Sequence, residues 1–247
     1  MLGLPEGVRA CLFDLDGVLT RTATVHAAAW KEMFDEFLRQ RAAEWKEPFV
    51  AFDPLSDYER SVDGKPRVAG TRSFLESRGI TLPEGTPSDP PGAATVHGLS
   101  NRKNELVLRR LSEGRVEVFD GSVRYARLAR DAGLRSAVVS SSANTRQVLD
   151  ATGIADLFDV VMDGLVAGQR GLAGKPAPDT FLAAAADLGV GPREAAVFED
   201  ALAGVQAGHA GGFALVVGVD RTGQAAALRD SGADVVVNDL AELLELA

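Results

Sequence analysis

The chain has one cysteine in 247 residues, no apolar run approaching a membrane span and no surplus of basic charge, and each shortage removes a class of protein. A lone thiol, Cys11, cannot close an intrachain disulfide, so a reducing, cytoplasmic setting is expected. A spanning helix needs about 18 or more consecutive apolar residues, which no stretch supplies. The N-terminus carries Pro5, Glu6 and Arg9 where a targeting peptide would have a basic start and a long apolar run, so a soluble protein is expected. The 26 Lys and Arg against 35 Asp and Glu leave a formal net charge of −9. Such a field does not hold nucleic acid, and no basic stripe offsets it, although a small basic pocket for phosphate remains compatible. No exposed apolar patch is legible either, and a monomer is expected. What is present is length enough to bury a substantial core, as one large domain or a domain carrying an insert.

The chain is organised around FDLDGVLT, residues 13 to 20. Val8, Ala10, Cys11, Leu12 and Phe13 form an apolar run that reads as a strand buried on both faces, and Gly17 lets the backbone turn after it. Asp14 and Asp16, two residues apart, share one side of an extended segment at the strand's carboxyl end, where open parallel sheets take ligands. Asp14 is placed to act as a nucleophile toward a phosphoryl group, with Asp16 as proton donor and acceptor. A solvated Asp-x-Asp-Gly turn uses the same residues.

Three later stretches also stand where an apolar run meets a loop: VVSSSAN at 138 to 144, GKPAPD at 174 to 179 and VFED at 197 to 200. Ser140, Ser141, Ser142 and Asn144 form a hydroxyl-rich turn into a helix, which binds phosphate oxygens through backbone amides without net charge. A plain capping turn draws on the same residue types. Lys175, stiffened by Pro176 and Pro178, is the only lysine beyond residue 104 and can neutralise both Asp14 and a phosphoryl group. Glu199 and Asp200 beside Asp14 would repel one another unless a cation joined them, and Mg2+ is the obvious one.

Between the first stretch and the others lies a helical insert. Val25, Ala29, Met33 and Phe37, with Trp30, Phe34 and Leu38, recur at helical spacing to about residue 40, placing His26 and Trp30 on one face. Residues 41 to 53 read as a connection anchored by Trp45 and Phe49. In VDGKPR, Gly64 supplies a turn and Arg67 can grip phosphate in a bidentate way, while Lys65 reads as solvated. Helices are expected over Val68 to Gly79 and Asn101 to Leu111, the latter capped by Ser100 or Asn101 and carrying Lys103 and Asn104. Strands then alternate with helices: strands at 135 to 139, 159 to 162, 195 to 198, 214 to 217 and 234 to 236, helices at 122 to 132 and 202 to 210. The fold class is therefore α/β, a Rossmann-like parallel sheet core from 1 to 20 and 113 to 247, with an inserted all-helical cap domain at 21 to 112.

The four stretches, in order and spacing, resemble the motifs of the haloacid dehalogenase superfamily of aspartyl-phosphate enzymes, over nearly the whole chain. Within it the likeness is greatest to the β-phosphoglucomutases and their sugar-phosphatase relatives. The resemblance implies metal contacts from Asp14, the Asp16 backbone carbonyl and Asp200, with Glu199 close by. It further implies that Ser140 holds the transferring phosphoryl group and that Ser142 and Asn144 contact a distal phosphate. His26 would assist the catalytic acid, with Thr22, Gly64, Arg67, Lys103 and Asn104 toward a small-molecule sugar phosphate. The implied reaction interconverts glucose 1-phosphate and glucose 6-phosphate through a phospho-aspartate, under a cap that excludes water. Two departures, Arg21 where many relatives have an acid and Ala201 where serine is common, keep a sugar-phosphate phosphatase open. A catalytically silent regulator would lack one of Asp14, Asp16, Lys175 or Asp200, and none is missing.

Overall fold

The computed structural model describes residues 2–114 and 116–245. The chain divides into two compact units, Ala23–Arg115 and the remainder, Met1–Thr22 with Val116–Ala247.

The first unit is helical: α1 (Ala23–Trp45), α2 (Arg67–Ser77) and α3 (Val96–Glu113), with a π-helical turn at Tyr58–Val62. Its core is aromatic, with Phe34 and Phe74 ring centroids 4.0 Å apart and Trp30 stacked on Phe34. α1 continues past residue 40 to Trp45, so Arg41 to Trp45 are helical rather than part of the connection. Trp45 and Phe49 do not anchor it, being 59% and 41% exposed. Phe52 does, fully buried, its N–H donating to Asp35 Oδ1 at 2.8 Å while Lys31 donates to Asp35 Oδ2 at 2.9 Å. α3 starts at Val96, not Asn101, because Thr95 is its cap: Thr95 Oγ1 accepts from the Gly98 N–H at 2.9 Å. Ser100 instead lies inside the helix and donates to the Val96 carbonyl.

The second unit alternates β1 (Ala10–Phe13), α4 (Asp120–Asp131), β2 (Arg135–Val139), α5 (Thr145–Thr152), β3 (Val160–Met162), α6 (Gly164–Gln169), α7 (Asp179–Asp187), β4 (Ala195–Glu199), α8 (Leu202–Ala210), β5 (Leu215–Val219), α9 (Ala225–Asp230) and β6 (Val235–Val237). The strands form one parallel sheet ordered β3-β2-β1-β4-β5-β6, the expected Rossmann-like α/β core. α6 and α9 lie in stretches without a helical stripe. α6 owes its start to Asp163, whose Oδ1 accepts from the Val166 N–H at 2.8 Å.

Both faces of β1 are covered, which explains its unbroken apolar run. Ala10 and Leu12 join Val139, Val197, Phe181 and Val205 in one cluster, while Phe13 stacks on Phe198 with centroids 4.6 Å apart and meets Tyr125 edge-on. In register, Phe13 faces Val138 on one side and Phe198 on the other, so the next residues along all three strands emerge together at the carboxyl edge. The strand order reverses about β1 and β4, the position at which open α/β sheets hold ligands. Among the described residues no helix is long and apolar enough to cross a membrane.

Candidate active site

Asp14 follows β1 directly, its N–H donating to the Phe198 carbonyl at 2.9 Å, and its side chain is buried. Lys175 reaches it from the loop before α7, across a cis Lys175–Pro176 bond. The Lys175 ammonium donates to Asp14 Oδ1 and to Glu199 Oε1, each at 2.6 Å, and to the Val139 carbonyl at 3.0 Å. Glu199 is the last residue of β4 and wholly buried, and its second oxygen accepts from the Ala201 N–H at 2.8 Å beside the start of α8. Asp200 comes next, and one carboxylate oxygen from each of Asp14, Glu199 and Asp200 lies within 4.8 Å of the others.

Burial pushes the Asp14 carboxyl well above its ordinary value; Lys175 opposes this, while Glu199 and Asp16 add to it. Burial would pull the Lys175 ammonium down, but Asp14 and Glu199 outweigh it and hold the lysine above its usual value, so it stays charged. Three buried carboxylates against one ammonium leave negative charge in surplus. An all-oxygen acidic cluster of this kind fits a hard divalent cation such as Mg2+.

The Asp16 carboxylate stands apart from that cluster, engaged by hydroxyls. Ser140 Oγ, just past β2, lies 3.3 Å from Asp16 Oδ2, and Thr22 Oγ1 donates to Asp16 Oδ1. Thr22, expected to touch substrate, is 1% exposed, and its hydroxyl shares a 2.6 Å hydrogen bond with that of Thr20 beside its contact with Asp16. Thr20 ends the FDLDGVLT stretch, in which the two acids alone point to chemistry in the sequence. Ser140 Oγ also accepts from the Ser142 N–H, and Ser142 Oγ from the Asn144 N–H, each at 3.1 Å, so this turn is held by its own hydroxyls as it enters α5. Ser141 and Asn144 are half-buried in the same turn.

The helical unit assembles a second cluster. His26 on α1 and Lys103 on α3 lie 2.9 Å apart through His26 Nδ1, and the Lys103 ammonium sits 4.8 Å from the Trp30 ring centroid. Lys103 is 5% exposed, not a solvated turn residue. Arg67, the first residue of α2, donates to Asn104 Oδ1, and Gly64 turns the preceding loop at φ +67°. Lys65, expected in solvent, is half-buried and donates to the Arg60 carbonyl and Ser73 Oγ.

A family model of haloacid dehalogenase-like hydrolases matches residues 8–212. The chain belongs to that family. As an enzyme of the haloacid dehalogenase superfamily, it is 59% identical over 247 residues to a protein named beta-phosphoglucomutase from Mycobacterium tuberculosis (strain CDC 1551 / Oshkosh), covering 99% of this chain and 94% of the relative. It is 31% identical over 241 residues to the beta-phosphoglucomutase of Bacillus subtilis (strain 168), covering 97% and 93% of the two chains. A crystal structure of beta-phosphoglucomutase from Clostridium difficile matches with a TM-score of 0.73 at 25% identity, covering 96% of this chain and 93% of that one. Of the two departures from the haloacid dehalogenase pattern, Arg21 lies with its guanidinium 4.4 Å from the Phe119 ring centroid and near Glu117. Ala201 supplies the N–H that holds Glu199, a contact that needs no side chain at that position.

Proposed function

We propose that the chain is a β-phosphoglucomutase, interconverting β-D-glucose 1-phosphate and glucose 6-phosphate through a phospho-aspartate on Asp14 and a glucose 1,6-bisphosphate intermediate. The observation that carries this reading is the buried Lys175 ammonium, bonded at 2.6 Å to both Asp14 and Glu199 beside Asp200. A fixed cation there lowers the cost of one anion attacking another. The 59% identity to the mycobacterial protein supports the choice of sugar phosphate.

In one half-reaction the 6-hydroxyl of glucose 1-phosphate gives its proton to Asp16 and attacks the phosphorus of phospho-Asp14, so that the Asp14–phosphorus bond breaks and glucose 1,6-bisphosphate forms. In the other, a carboxylate oxygen of Asp14 bonds to the C1 phosphorus as its bond to the sugar oxygen breaks, Asp16 gives the proton to that departing oxygen, and glucose 6-phosphate leaves with phospho-Asp14 restored. Thr22 and Ser140 hold the Asp16 carboxyl in place for both transfers. Asp14, Asp200 and the Asp16 backbone carbonyl would hold Mg2+, with Glu199 close by; when bound, the ion shields the charge on the phosphoryl oxygens. Ser140 and Ser141 would hold the transferring phosphoryl group, and Ser142 and Asn144 the distal phosphate. In the helical unit, Arg67, Lys103 and Asn104, with Gly64 shaping the loop, would serve the sugar phosphate, and His26 would support the acid. A reducing, cytoplasmic location belongs to the same reading, supported by the single buried thiol of Cys11.

Phosphorus NMR of β-glucose 1-phosphate with the protein and Mg2+ tests the reading. Glucose 6-phosphate is the expected product. Free phosphate alone would replace the mutase with a phosphatase that passes the phosphoryl group to water.

A further inference from the structure

The loop after β5 touches both acidic loops through their backbones. Asp220 stiffens it: Oδ1 accepts from the N–H groups of Gly223 and Gln224 at 2.7 and 2.9 Å, and Oδ2 from that of Ala225 at 3.1 Å. From this turn Arg221 Nε donates to the Gly17 carbonyl at 2.8 Å, Nη1 donates to the Asn238 carbonyl at 2.6 Å and Nη2 lies 3.4 Å from the Val18 carbonyl. The guanidinium stacks 3.5 Å from the Phe119 ring centroid, and the side chain is 16% exposed. Gln224 Nε2, three residues on, donates to the Asp200 carbonyl at 3.1 Å.

These contacts matter because the two acidic loops meet without slack. Gly17 has φ +106°, and a Cβ there would collide with the Asp200 carboxylate. A shift of the 17–18 peptide therefore changes the spacing between Asp14 and Asp16 on one side and Asp200 on the other. A planar guanidinium with five fixed donors, locked by stacking, suits the task of preventing that shift. Arg221 and Gln224 both lie beyond the residues 8–212 that match the family model.

We propose that Arg221 and Gln224 are positioning residues, which set the distance between the Asp14–Asp16 loop and Asp200 that a divalent cation requires. The kinetic part of this inference rests on the phosphoryl-transfer reading; the binding part does not. Mg2+ is titrated calorimetrically into metal-free wild type, Arg221→Gln, Arg221→Lys, Gln224→Ala and Arg229→Gln, the last removing an exposed cation from α9 as a charge control.

Arg221→Gln is expected to weaken Mg2+ binding about tenfold or more, as loss of outer-sphere support for a metal site typically does, with Arg221→Lys intermediate and Arg229→Gln unchanged. Gln224→Ala is expected to weaken it less than Arg221→Gln, having one contact to lose. In turnover, Arg221→Gln is expected to lose kcat at limiting Mg2+ and to regain most of it when Mg2+ is raised, with the KM for β-glucose 1-phosphate nearly constant. A loss from general loosening would not be restored by the ion. Wild-type Mg2+ affinity in folded Arg221→Gln overturns the proposal, as does absence of Mg2+ binding by the wild type. If Arg221→Gln does not fold, Arg221→Lys and Gln224→Ala decide it by the same two readouts. A wild type that binds Mg2+ but forms no glucose 6-phosphate defeats the mutase reading alone and leaves the binding comparison to decide this one.

Discussion

At the carboxyl end of β1 one lysine faces three buried acids, and the charge left over governs how each residue responds to substitution. Asp14→Asn deletes the proposed nucleophile together with one of the carboxylates whose ionisation burial opposes. Turnover is expected to vanish while the unfolding temperature stays level or rises, because Lys175 keeps Glu199 as a partner. A phosphorus NMR assay beside a thermal melt checks both halves, and near-normal turnover by the folded variant rules the mechanism out. Cys11 responds to burial alone, which pushes its thiol from 9.0 up to about 12. Below pH 9 both the folded and unfolded chains keep the proton. Between 9 and about 12 only the unfolded chain gives it up, so stability falls with rising pH by up to about 1.4 kcal/mol per unit. Urea unfolding at pH 8 and pH 10 is expected to show that fall in the wild type and a shallower one in Cys11→Ala.

At the scale of elements, α3 shows a local signal outranking a general preference. Thr95→Ala removes the cap bond to Gly98 and is expected to cost about 1 kcal/mol in urea unfolding. Alanine inside a helix is normally an improvement on glycine, yet a Cβ on Gly98 would stand 2.5 Å from the Ala93 carbonyl oxygen, so Gly98→Ala is expected to destabilise as well. That start was illegible in sequence because Val96, His97 and Gly98 are weak helix formers and the cap lies ahead of the apolar stripe. β2 and α8, by contrast, have the bounds their apolar patterns announce. The same physics divides the site. Asp14, Glu199 and Asp200 were legible because each follows an apolar run, where a sheet delivers side chains to its edge, and Lys175 because Pro176 and Pro178 stiffen the loop that presents it. The Arg221–Gln224 loop left no pattern, since its side chains act on other loops' carbonyls.

At the scale of the whole molecule, two cores are built on different principles. The helical unit packs Trp30, Phe34, Phe52 and Phe74 against leucines of α3, whereas the sheet unit interleaves alanines and valines of its strands with Phe181 and Phe213. Each unit buries its own apolar cluster, the condition under which segments of one chain open separately. Phe74 is fully buried at the centre of the aromatic group, 4.0 Å from Phe34 and 5.1 Å from Phe52 between ring centroids. Phe74→Ala deletes a whole ring from that packing, a change that typically costs about 3–5 kcal/mol. Hydrogen exchange followed by mass spectrometry is expected to show faster exchange in α1, α2 and α3, with β1, β4 and β5 as protected as in the wild type. Equal loss of protection in both units would show instead that the two cores unfold as one cooperative body.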